Sequence, residues 1–371
     1  SGPAAADGAA SARAAIAALT RLDLEQVTDS RPAFINVSRD FLLDHHEMLS
    51  PVTHTGIEVP CDACNDDETA AVLAELNARG VAVALDGFRW APGVQRLLAE
   101  ARLVKIDVRA AEPGGLEAVL EKLRGGPAKL LALNVDSQEA FDRCHDLGFD
   151  YFQGFFLCRP RALSAPGLPE SKLNALRLMA ALQSPDAEPD ELEAIIRTDL
   201  TLHYRLLRTV NSAYYGLPVE VKSIGHAITC LGMVAVRRWA ALQLLAADDE
   251  RPPEVLRLAL IRARMCEQLI ASPDKDAQDK AFTTGLFSLL DAVFDTPMDL
   301  ILEKLPLDRD VASALATGGG PYGGLLRTVT CYESGDWGPL EDDGPYPLDS
   351  VTRCYLDALP WARAQFDALG G

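Results

Sequence analysis

No stretch of this 371-residue sequence is apolar over the roughly 18 to 20 residues that a membrane-spanning helix needs. The opening, Ser1 to Ala12, is rich in small residues and lacks the basic-then-apolar pattern of a secretion signal. Both absences lead to the expectation of a cytoplasmic protein with no membrane partner. Basic charge is also scarce. The 35 Lys and Arg stand against 54 Asp and Glu, for a net charge of −19. A nucleic-acid binder carries a basic face, so no nucleic-acid partner is expected. An anionic nucleotide needs only a few well-placed Lys or Arg, a helix N-terminus or a metal. The eight cysteines are too few and too scattered for a disulfide framework. Cys158, Cys230 and Cys266 sit in apolar sequence and are expected to be reduced and buried. The CxxC of Cys61 and Cys64 has no second pair at zinc-finger spacing.

The length exceeds what one core usually supports, so two domains are expected. The first half alternates short apolar runs with helical stretches. The runs Phe34–Val37, Thr55–Val59, Val81–Leu85, Leu103–Asp107, Leu130–Val135 and Tyr151–Phe156 read as strands buried on both faces. Asp67-Glu68 opens a helix that Gly80 closes, Pro92 opens another, and Ser137 is placed to cap a third. Such alternation implies parallel strands with helices outside, as in a (β/α) barrel.

The pattern changes at Arg159-Pro160. Ala162–Pro169 reads as a linker. Beyond it only helical periodicity remains, over Lys172–Leu182, Glu191–Arg197, Leu200–Val210, Ile224–Cys230, Met233–Ala246, Val255–Ile270, Ala281–Val293 and Asp299–Leu305. The tail after Gly318 reads as loop, then a terminal helix over Ser350–Ala368. The expected domains are an α/β barrel unit over 1–160, a linker over 161–170 and an all-α unit over 171–371.

Barrel enzymes carry their chemistry at the C-terminal ends of strands. There this sequence has Asn36, Glu58, Asp86, Lys105, Asp136 and Gln153. Any one of them is an ordinary polar strand end reaching solvent. Their recurrence on successive strands is the signal. Asn, Glu and Asp offer the hard oxygens that suit Mg²⁺ or Mn²⁺, and Lys105 can face a phosphate.

These residues also carry a resemblance. Phe34-Ile35-Asn36-Val37-Ser38, Glu58, Val83 to Phe88, Val104-Lys105-Ile106-Asp107 and the closing Gly148 to Pro160, with Gln153-Gly154-Phe155, together resemble the EAL family in order and spacing across residues 30–160. The resemblance implies a TIM-like barrel that hydrolyses cyclic di-GMP with two divalent metals. It also exposes departures. A helix, Ala9–Leu19, stands where the family has a first strand carrying a metal-binding Glu. Gly87 replaces the second of two adjacent aspartates. Arg89-Trp90-Ala91-Pro92 replaces a glycine-containing loop, and Leu133 replaces a glutamate.

The second half resembles the HDOD domain through Glu191 to Asp199, Leu206 to Tyr215, Ser223 to Ile228 and Leu231-Gly232. HDOD domains look like HD phosphohydrolases without metal ligands. Gly285-Leu286-Phe287-Ser288 stands where the His-Asp pair would fall, and no histidine follows His226. His203 and His226 read as core or surface residues, and Asn211-Ser212 as a helix terminus.

The expected fold is therefore an incomplete TIM-like barrel followed by a helical, HD-related HDOD domain. The site candidates are read as vestigial, with no functional catalytic residue. Lys105 and Gln153 are the catalytic remnants. Asn36, Lys105, Asp136 and Gln153 are the ligand-binding candidates. Asn36, Glu58 and Asp86 are the metal candidates, for Mg or Mn only if a residual site binds metal, and no other cofactor is expected. The expected function is a non-catalytic signalling scaffold that binds other signalling proteins through its HDOD domain, with cyclic di-GMP as a candidate ligand and either the N-terminal helix or a second copy of the chain, as a homodimer, covering the open barrel edge. The alternative is a metal-dependent cyclic di-GMP phosphodiesterase giving a linear product.

Overall fold

The computed structural model describes residues 28, 31–49, 55–110, 115–159, 176, 179–180, 188–198, 200–211, 220–246, 252–270, 272–336 and 345–369. The expected helix Ala9–Leu19, the missing first strand, the linker over 161–170 and most of the helix Lys172–Leu182 lie outside these residues. The chain divides into two compact units, Ser1–Phe156 and Leu157–Gly371.

The first unit holds one parallel sheet of six strands in sequence order. They are β1 (Ala33–Asn36), β2 (Thr55–Pro60), β3 (Ala82–Asp86), β4 (Leu103–Asp107), β5 (Lys129–Leu133) and β6 (Tyr151–Gln153). Between them run α1 (Arg39–His45), α2 (Asp67–Ala78), α3 (Gln95–Glu100), α4 (Gly115–Leu123) and α5 (Gln138–Asp146). The sheet is a curled half-barrel of βα units. Alternate side chains Ile57, Val59, Val83, Leu85, Val104, Ile106 and Ala132 enter one apolar core with Leu73, Leu76, Leu97 and Leu120 of the helices. The other set of alternate positions, including Asn36, Glu58, Asp86, Lys105 and Gln153, belongs to the opposite face.

Local chemistry sets the element ends. Asp66 caps α2 by accepting from Thr69 N at 2.9 Å, and Ser137 caps α5 by accepting from Ala140 N at 3.1 Å. Pro92 does not begin a helix; it lies in a turn ahead of α3. Strand β5 stops at Leu133, two residues before the expected end, because Asn134 takes a left-handed φ of 60°. Asn tolerates that region better than most residues. Strand β6 stops at Gln153, and Phe155–Cys158 coils into a 3₁₀ turn. Gly154 makes this possible. A Cβ there would fall 2.0 Å from the Val135 carbonyl oxygen.

The second unit is all helical among the described residues: α6 (Pro189–Thr198), α7 (Leu200–Val210), α8 (Ile224–Leu231), α9 (Met233–Leu245), α10 (Pro253–Leu269), α11 (Lys275–Phe287), α12 (Leu290–Phe294), α13 (Met298–Leu302), α14 (Arg309–Thr317), α15 (Gly320–Ser334) and α16 (Leu348–Leu369). The expected helix Ala281–Val293 is two helices, α11 and α12, broken at Ser288. The tail reading is corrected as well. Gly318 ends α14 in a left-handed conformation, φ 68°, and Pro321 enters the first turn of α15. Glycine just past one helix and proline at the start of the next follow the usual preferences of helix ends. Cys230 is exposed and Cys158 half-buried, while Cys266 is buried. No single helix among the described residues is long and apolar enough to cross a membrane.

Candidate functional site

Strand register brings the sequence candidates together at the C-terminal edge of the sheet. Asn36 pairs with Glu58 across β1 and β2. Pro60 pairs with Asp86 across β2 and β3, and Leu133 with Gln153 across β5 and β6. Lys105 Nζ donates to Glu58 Oε1 at 2.6 Å, and both side chains are buried, 8% and 7% exposed. This ion pair spans from β2 to β4, over the intervening β3. Gln153 and Asn36 are exposed, and Asp86 is half-buried.

Asp136 belongs to the rim. Its Oδ1 accepts from the Phe155 N–H at 3.3 Å, and its Oδ2 meets Arg109 Nη1 at 3.3 Å. Half of this carboxylate thus ties the end of β5 to the turn after β6. Arg109 also lies 3.9 Å from Asp107. Arg109 is not among the residues expected from the sequence, and Asp107 is expected there only as part of the Val104-Lys105-Ile106-Asp107 motif; the available signal was position, Asp107 closing β4 and Arg109 two residues beyond it. Leu133 is half-buried at the end of β5. Trp90 meets Phe88 edge-on, with centroids 6.2 Å apart, and Lys122 sits 4.8 Å over its ring.

The donors Asn36, Glu58 and Asp86 have the oxygen chemistry of one hard divalent cation. Among the described residues no three His, Cys, Asp or Glu side chains converge as a metal cluster. Gly87 has φ 60°, a conformation that favours glycine, and a Cβ there would meet nothing within 4 Å. The nearby CxxC adds no ligand. Burial raises the Cys61 thiol, with the charges of Asp62 and Asp86 adding to it, and burial pushes Cys64 up to about 11. Both stay protonated at neutral pH and are poor ligands or nucleophiles.

In the helical unit the chemistry is structural. Arg262 makes a bidentate pair with Glu333 at 2.7 and 2.8 Å and donates to Ser288 at 3.1 Å. Gly285 lets α11 cross α10 closely, since a Cβ would fall 2.4 Å from the Arg262 carbonyl oxygen. Asn211 donates to the carbonyls of Leu207 and Val221 and accepts from Val221 N, a helix-end role. A cavity of about 300 Å³ is lined by Arg238, Asp279, Lys280 and Asp308 among others. Its charges are paired within the wall, Arg238 with Asp279 and Lys280 with Asp308.

Comparison with known proteins fits this division. Residues 168–294 match the HDOD domain family. The protein is therefore of the class that carries a parallel α/β half-barrel and an HDOD domain in one chain. It is 30% identical over 341 residues to the cyclic di-GMP phosphodiesterase CdgJ of Vibrio cholerae, covering 89% of this chain and 78% of CdgJ. It is 24% identical over 357 residues to the uncharacterized protein YuxH of Bacillus subtilis, covering 94% and 87%. The Bacillus subtilis YkuI protein, with an EAL domain and solved with substrate c-di-GMP and calcium, aligns at 18% identity. That alignment covers 46% of this chain and 54% of YkuI, at a TM-score of 0.31. The chain belongs to the family that includes CdgJ.

This relationship corrects the expectation of a non-catalytic scaffold. The relative that is 30% identical over 89% of the chain is named for the phosphodiesterase reaction, which favours the alternative. The non-catalytic expectation followed from the combined departures, the absent first strand with Gly87 and Leu133 in place of carboxylates, and residue identity along the chain does not show which strand-end charges still touch. The buried Glu58–Lys105 pair remained intact, with Asn36 beside it in register.

Proposed function

We propose that the first unit is an EAL-type, metal-dependent cyclic di-GMP phosphodiesterase that opens the cyclic dinucleotide to a linear product. The observation that carries this reading is the buried Glu58–Lys105 pair at the C-terminal edge of the sheet. A buried ion pair adds little net stability, because desolvation offsets its attraction. Its place beside Asn36 and Asp86, in a relative of CdgJ, supports a functional reason for it.

In this reading Asn36, Glu58 and Asp86 would hold a divalent cation, which would supply charge neutralisation and polarisation of the phosphodiester. Lys105 orients Glu58 through Nζ and offers its remaining N–H donors to a phosphate or a water. Gln153, at the end of β6, and Asp136, in the loop after β5, are the residues this reading turns toward the nucleotide. Water adds to phosphorus, one P–O ester bond breaks, and the product carries a terminal phosphate and a free hydroxyl.

Chromatography of cyclic di-GMP incubated with the full chain tests the reading. Conversion to the linear dinucleotide is expected with Mn²⁺ or Mg²⁺, and none with EDTA. A chain that leaves the substrate intact with both metals overturns it.

A further inference from the structure

The site as described is short of positive charge. The chain carries −19 overall, and the Lys105 ammonium is already committed to Glu58 at 2.6 Å. A cyclic dinucleotide brings two phosphodiester charges to this edge. Two arginines follow the neighbouring strands β3 and β4.

Arg89 lies in the segment that departs from the EAL pattern. Its backbone is fixed on both sides. Phe88 N donates to the Lys105 carbonyl at 2.9 Å, and Phe88 is buried. Trp90 is held between Phe88 and Lys122. The Arg89 backbone N–H also reaches the Cys61 thiol. Its side chain is exposed and has no hydrogen-bond or ion-pair partner among the described residues. Beside it, Gly87 leaves open space.

Arg109 is tethered differently. Its guanidinium lies 3.3 Å from Asp136 and 3.9 Å from Asp107, and its backbone N–H donates to Asp107 at 2.9 Å. At 61% exposure these contacts orient the fork while leaving donors toward solvent. An exposed pair of this kind adds little stability.

We propose that Arg89 and Arg109 form a two-arginine clamp on the phosphodiester oxygens of the substrate. The inference rests on the phosphodiesterase reading of the same edge. Arginine's planar fork suits phosphate oxygens, and charge-assisted hydrogen bonds of this kind are strong. Arg89 brings to this edge a guanidinium unpaired among the described residues and Arg109 one shared with Asp136 and Asp107, and both residues lie outside the Asn36, Glu58 and Asp86 set.

Steady-state kinetics of the full chain with cyclic di-GMP and Mn²⁺ tests the clamp. Arg89→Ala and Arg109→Ala are each expected to raise KM about 10-fold with kcat within about 2-fold, the mark of lost uniform binding. Arg→Lys at either position is expected to recover part of the loss. The double Ala variant is expected to flatten the rise of KM with added salt, and melting temperatures are expected to match wild type. An unchanged KM in both single variants overturns the clamp. If the wild type does not turn over, the phosphodiesterase reading fails separately, and calorimetric titration with cyclic di-GMP decides the clamp. Affinity lost in the double variant supports it. Equal affinity, or no wild-type binding, overturns it.

Discussion

At the residue scale, charge placement divides the molecule into groups that brace and groups that act. Asp66 braces. It caps α2 through Thr69 N and accepts from Arg39 Nε at 2.9 Å. The Arg39 hydrogen bond, then that of the Thr69 N–H, lowers its carboxyl to about 2. A depressed carboxylate favours the folded state fully above its unfolded value of about 4, and this contribution fades as pH falls toward about 2. Asp66→Ala is expected to cost about 1 kcal/mol at neutral pH, mostly through the lost cap, since the ion pair is partly exposed. Urea titrations at pH 7 and pH 2.5 check this, with the wild-type advantage expected to shrink at the lower pH. The thiols offer a second check. Burial pushes Cys64 to about 11 and Cys266 to about 12, whereas Cys230 is exposed. Alkylation of the native protein at pH 8, read by peptide mass, is expected to label Cys230 and spare Cys64 and Cys266.

At the element scale, the sequence foretold what repeats and missed what occurs once. The six strands were readable because parallel strands covered by helices leave apolar runs, and polar residues such as Glu58 and Lys105 interrupt or end them. Ser137 as a cap was readable for the same reason, a local rule met locally. The early end of β5 was not, since it depends on Asn134 taking a left-handed turn. Nor was the break between α11 and α12. That break brings Ser288 to Arg262 from 26 residues away. The glycine run at Gly318 misled by composition, because loop residues and helix-end residues are the same residues. The Glu58–Lys105 contact was invisible, because spacing along the chain says which strand ends carry charge but not which charges touch. The Arg262–Glu333 pair gives the element-scale expectation. Glu333→Ala leaves a buried guanidinium with one fewer partner, and a loss of about 3 kcal/mol or more is expected. Thermal unfolding followed by circular dichroism checks it; an unchanged midpoint would contradict the bracing role.

At the scale of the whole molecule, the two units share no core cluster among the described residues. Val83, Leu85 and Val104 belong to the core of the first unit, while Leu260, Phe282 and Phe287 belong to one cluster of the second unit and Met265, Leu325 and Val351 to another. Each unit therefore has the means to unfold on its own, and calorimetry is expected to need more than one transition to fit. The sequence separated these units by the loss of strand patterning near residue 160. The non-catalytic expectation, drawn from the absent first strand together with Gly87 and Leu133, is the part that the relationship to CdgJ overturns. The central claim is that the edge organised by Glu58 and Lys105 is a working phosphodiesterase site. Cyclic di-GMP turnover by wild type and Glu58→Gln, both shown to be folded, tests it most directly. The account expects wild-type hydrolysis with Mn²⁺ and a fall of about 100-fold or more in kcat for the variant. Equal turnover by the two proteins would contradict it.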